Sequence, residues 1–93
     1  MGNPSGKLVL ETVIVNDLGL HARAAAQMAA IAAKAGSPVW LIRDGMRVDA
    51  SSVIDILTLA CGKGSKVTFE IENQADALLL KQLVNLVERG FGE

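Results

Sequence analysis

"SPVWLIRDGMRVD", residues 37–49, decides the fold. Two extended runs flank Asp44-Gly45, a dipeptide suited to a two-residue hairpin turn whose central positions need positive φ. An antiparallel pair is therefore expected, and its apolar face needs a cover. The neighbours supply one. Upstream, "HARAAAQMAAIAAKAG" (21–36) is dominated by alanine, the best helix former, and Gly36 is placed to end the helix. Downstream, "ASSVIDILTLACGKG" (50–64) reads as a short helix. Ser51 or Ser52 caps it, Asp55 lies in its first turn, and Gly62 and Gly64 close it. Farther out, "KLVLETVIVN" (7–16) is rich in β-branched residues, and "KVTFEIE" (66–72) alternates strictly. Asn73 caps a last helix with Asp76 near its start; Leu79, Leu80, Leu83, Leu86 and Val87 form its apolar face, and Gly90 ends it. The order is β-α-β-β-α-β-α. One-sided helices and alternating strands imply an α+β protein of two layers, with the helices on one face of a largely antiparallel sheet.

The chain has 93 residues and a formal net charge of −1. One domain over 7–93 is expected, behind a flexible leader at 1–6 that holds Gly2, Pro4, Ser5 and Gly6. There is no basic stripe, and the aromatic residues are Trp40, Phe69 and Phe91. Binding of nucleic acid by phosphate neutralisation or base stacking is excluded on those grounds. No segment approaches the ~20 apolar residues that membrane insertion requires. The start has no apolar signal core, and Gly6 stands where a myristoylated chain carries Ser or Thr. Cys61, the sole cysteine, demands no oxidising compartment. A cytoplasmic protein is expected, without cofactor. With one histidine and no second ligand near Cys61, no metal site is expected.

At 100° per residue, Arg23, Gln27 and Lys34 form a polar stripe on the first helix. Ala25, Met28, Ala29 and Ala32 face the sheet. Ala26, Ala30 and Ala33 lie beside the stripe, where burial is not required. Either alanine is there for helix propensity, or the small side chains leave a flat docking surface.

His21 is the chain's only histidine, and it stands where this helix begins. The first N–H groups of a helix lack internal partners, and the dipole adds positive potential. The amides around Ala22 and Ala24 thus form an anion site. The same field disfavours imidazolium, leaving a ring lone pair for attack on phosphorus. Arg23 adds a guanidinium whose fork matches phosphate oxygens. The plainer reading is a histidine that caps a helix, with Arg23 as a solvated charge.

"GLHARAAA" (19–26) resembles the active-site segment of the HPr family, the histidine-containing phosphocarriers of the bacterial phosphoenolpyruvate-dependent sugar phosphotransferase system. "DGMRVDASSVIDILTLACGKGSKVTFEIE" (44–72) resembles the family's second signature, and the likeness runs from about Lys7 to Glu88. The resemblance implies an open-faced β-sandwich, a four-stranded antiparallel sheet of order 1-4-2-3 with three helices on one face. It implies a stoichiometric carrier, not an enzyme. His21 would take a phosphoryl group at Nδ1 from phosphorylated enzyme I and pass it to enzyme IIA components, with Arg23 supporting the phosphate. Ser52 aligns with the serine phosphorylated by HPr kinase/phosphorylase, and a plain N-cap is its other reading. Val53, Ile54 and Leu57 align with a docking patch. Transcriptional regulators are further partners the family implies.

Two departures stand out. Ala24 occupies the family's proline position, which adds one N–H to the helix start. Trp40 and Ile42 point to the open sheet face if Val39 and Leu41 face the core; a shifted register would bury Trp40 instead. A second class of function remains alongside the carrier. It is a regulatory module on the same fold, read by phosphorylation-dependent partner binding without sugar transport.

Overall fold

A computed structural model describes residues 6–93; apart from Gly6, the expected leader lies outside the described residues. The strands are β1 (Leu8–Val13), β2 (Val39–Arg43), β3 (Met46–Asp49) and β4 (Lys66–Ile71). The helices are α1 (Ala22–Ala32), α2 (Val53–Thr58) and α3 (Ala77–Glu88), with 3₁₀ turns at Gln74–Asp76 and Gly90–Gly92. The sheet order is β1-β4-β2-β3, and its three pairings are antiparallel. This is the open-faced arrangement implied by the resemblance.

The hairpin forms as its turn chemistry requires. Asp44 and Gly45 both take positive φ, 49° and 81°. That pins Leu41 opposite Val48 and opposite Phe69 on β4. Register then fixes faces, because side chains alternate. Val39, Leu41, Val67, Phe69 and Ile71 turn to the helices and are buried. Ala25, Met28, Ala29 and Ala32 meet them from α1; Leu80, Leu83, Leu86 and Val87 meet them from α3. Each large apolar side chain so enclosed contributes about 1.5–3 kcal/mol against exposure.

Trp40 pairs with Glu70 and Asp49, which places it on the open face together with Ile42. Both are half-buried. Trp40 is not a bare apolar surface. The Arg47 guanidinium lies 4.1 Å above its ring, and its indole N–H donates to Glu72 at 2.8 Å. The register is the expected one, and charged neighbours cover the ring by cation–π and polar contact.

Three boundaries differ from expectation. The first strand ends at Val13 instead of running to Asn16. Helix α1 stops at Ala32 with a tight last turn, Lys34 N–H donating to Ile31 O at 3.0 Å, before Gly36 is reached. Gly36 instead gives its N–H to the Asp76 carboxylate at 3.0 Å, so Asp76 serves a neighbouring loop. Helix α2 is six residues and ends well short of Gly62. Ala60 leaves the helical region at φ 52°, and Arg43 Nη1 donates to the carbonyls of Leu59 and Ala60 at 2.9 and 3.1 Å. A side chain from β2 thus satisfies the orphan carbonyls that a glycine cap would otherwise tie up.

Candidate functional site

The loop before α1 is held from two sides. Leu20 is buried and donates its N–H to Cys61 O at 2.8 Å. Gly19 takes φ 63°, and a Cβ there would lie 2.4 Å from Cys61 O. Asn16, itself buried, donates from Nδ2 to Gly19 O at 2.8 Å. An exposed Lys63–Asp17 pair at 2.8 Å adds a contact between the same two segments. The hydrogen bond holds the Asp17 carboxyl below its usual range and raises the Lys63 ammonium. Cys61 contributes its carbonyl; burial pushes its thiol up, away from reactivity.

That loop delivers His21 to the N-cap of α1 in an extended conformation, φ −73° and ψ 176°. Nδ1 accepts from the Arg23 N–H at 3.3 Å. Nε2 donates to the Glu93 carboxylate. These partners assign the ring proton to Nε2 and the lone pair to Nδ1. The lone pair therefore faces the Arg23 amide at the positive end of α1. A phosphoryl group on Nδ1 would inherit this direction and meet the first-turn amides. Among the described residues, the Ala22 and Ala24 amides have no acceptor. The imidazole side chain is 27% exposed, so a donor can reach it. Arg23 is exposed beside it.

Glu93 and Asn16 carry no signal in the sequence that ties them to His21. Glu93 lies beyond α3 and 72 positions away, brought in by the fold alone. Asn16 reads locally as a polar residue before a turn. Its Nδ2 reaches Glu93 Oε1 at 3.0 Å as well as Gly19 O. Hydrogen bonds from His21 and then Asn16 hold the Glu93 carboxyl below its usual range; burial opposes them, and the His21 and Arg23 charges add lesser support. Its share of stability is present above the ordinary carboxylate range and is lost as pH falls through the lowered value.

Ala24 is fully buried and Ala22 exposed. Because the Ala24 amide has no acceptor among the described residues, a proline there removes no bond. Ala24→Pro is expected to change stability by less than about 1 kcal/mol. Transfer rates should stay equal or rise, as measured by thermal unfolding beside single-turnover phosphorylation. A clear slowing would show that alanine serves this site.

Ser52 is not drawn into the His21 contacts. It caps α2, its Oγ accepting from the Asp55 N–H at 3.2 Å. Helix α2 packs against α1. Ile54 is 75% exposed and Leu57 39%, whereas Val53 is partly buried against the core. Ala26 and Ala30 are exposed on α1, as the helical azimuths required.

The family model for the PTS HPr component phosphorylation site matches residues 10–89. A phosphocarrier protein HPr of Cupriavidus necator is 40% identical over 83 residues, covering 89% of this chain and 93% of that protein. The phosphocarrier protein HPr of Pseudomonas aeruginosa is 36% identical over 85 residues, covering 90% and 94%. Among solved structures, HPr-C-His from Thermoanaerobacter tengcongensis superposes with a TM-score of 0.87 at 35% identity, covering 92% of this chain and 97% of that one. The fold and the family match together place the chain among the phosphocarrier proteins. The chain belongs to the HPr family of the phosphotransferase system.

Proposed function

We propose that His21 accepts a phosphoryl group at Nδ1 from phosphorylated enzyme I and hands it to enzyme IIA components. The direction of the Nδ1 lone pair, toward the Arg23 amide at the start of α1, carries this reading. In each step a nitrogen lone pair forms a bond to phosphorus, the opposite P–N bond breaks, and its electrons return to the departing ring. Placement and charge stabilisation are then the scaffold's main tasks. The unpaired first-turn amides and the exposed Arg23 suit the three phosphoryl oxygens. The chain acts as a stoichiometric carrier in the cytoplasm. Labelling with phosphoenolpyruvate and enzyme I tests the reading, with His21→Ala as its control.

Docking falls to the surface around His21. Ala26 and Ala30 keep α1 flat, while Ile54 and Leu57, with part of Val53, supply apolar contact from α2. Ser52 borders that patch, which suits regulation by a dedicated serine kinase. A phosphate there would bring charge to a surface that must be desolvated on docking. Ser52→Asp keeps an N-cap acceptor, so stability should hold. It is expected to raise the KM of enzyme I for the chain about tenfold through like-charge contact with an acidic partner. Steady-state phosphorylation with the variant as substrate reads this directly; an unchanged KM would remove Ser52 from the docking surface.

A further inference from the structure

The first turn of α1 carries Arg23 and no acidic residue, against the usual charge preference of a helix start. The negative charge comes from elsewhere in the chain. Glu93 is ionised, its side chain is 19% exposed, and it meets His21 through one oxygen and Asn16 through the other. Asn16 is buried and uses both amide hydrogens, one on Gly19 O and one on Glu93, which fixes its orientation. Its Oδ1 is buried without a partner among the described residues. A buried amide retained at that cost is holding something in place.

We propose that Glu93 is a positioning residue for phosphoryl transfer: clamped by Asn16, its carboxylate holds the His21 proton on Nε2 and offsets the positive charge the ring acquires when Nδ1 bonds phosphorus. This rests on the carrier reading for its role in transfer. The balance is simple. The Nδ1 pair forms the N–P bond, the donor's bond to phosphorus breaks, and the donor keeps that pair. Nε2 retains its proton throughout, so the phosphorylated ring is cationic. The carboxylate beside Nε2 stabilises that cation in place of water, as a carboxylate orients and supports histidine in other sites. When the group leaves, the pair returns to Nδ1 and the ring is neutral again. Arg23 and the first-turn amides face the phosphoryl group; Glu93 faces the opposite nitrogen. The two sides of one ring are thereby served by opposite charges.

The test uses the whole chain with ¹⁵N-labelled histidine, and phosphoramidate as a small phosphoryl donor that needs no partner protein. The wild type should show an Nε2–H resonance protected from exchange, lost in Glu93→Ala. Glu93→Gln, which keeps the shape and removes the charge, should be phosphorylated about tenfold more slowly, and Glu93→Asp should recover most of the rate. Glu93→Gln weakens hydrogen bonds to His21 and Asn16, so Tm should fall only slightly, and far-UV circular dichroism with rates measured on the folded protein separates lost transfer from lost folding. An unprotected Nε2–H in the wild type, or a wild-type rate in Glu93→Gln, overturns the proposal. Failure of the carrier reading looks different: phosphoramidate labels His21, and phosphorylated enzyme I does not.

Discussion

Substituting His21 by alanine is expected to reduce acid-labile phosphate from a full equivalent to background in the presence of phosphoenolpyruvate and enzyme I. No other imidazole exists in the chain to take the group. The scaffold should survive the change. His21 is partly exposed, and its side chain contributes one cap bond, to the Arg23 N–H. Losing such a cap costs about 0.5–2 kcal/mol, within the margin of a small domain. Far-UV circular dichroism of the variant beside the labelling assay separates lost chemistry from lost structure. Acid-labile label retained by a folded variant would overturn the carrier reading.

The second large effect lies two residues earlier. Gly19→Ala is expected to destabilise the protein by about 3 kcal/mol, lowering Tm by about 15 °C, and to slow phosphorylation of the folded fraction. Two causes act together. The φ of 63° strains any L side chain, and the new Cβ would lie 2.4 Å from Cys61 O and 2.8 Å from Gly62 Cα. Both obstacles are backbone, so the loop has to lift away. Lifting it breaks the Leu20–Cys61 bond that places His21 at its helix. Thermal unfolding with single-turnover phosphorylation measures both losses; an unchanged Tm would show that the loop is not clamped there.

These contacts also show what the sequence carried and what it did not. The hairpin was legible because Asp44-Gly45 admits few other turns, and strict alternation around Phe69 set the faces of β4. The azimuths of α1 placed Met28 inside and Ala30 outside because helix geometry is local. The position of His21 at a helix start was readable for the same reason, but the choice of a carrier over a plain cap came from the likeness of "GLHARAAA" to the HPr signature. The ends of α1 and α2 were misplaced because tertiary partners won over local stop signals. Arg43 reached across from β2 to the carbonyls of Leu59 and Ala60, and Asp76 reached back to Gly36. Glu93 was invisible because only the closed fold brings it to Nε2. Asn16 hid for a different reason: its local reading, a polar residue before a turn, was sufficient.

The cation-covered indole on the uncovered side of the sheet has a practical consequence. Trp40 is the chain's single tryptophan, and tyrosine is absent. Emission in the near ultraviolet therefore originates from one ring, stacked under Arg47 on β3 and tied to Glu72 beyond β4. The chromophore belongs to strand pairing, not to the helical side where phosphorus is handled. The molecule comes equipped with an optical gauge of its own sheet, separate from the chemistry it carries.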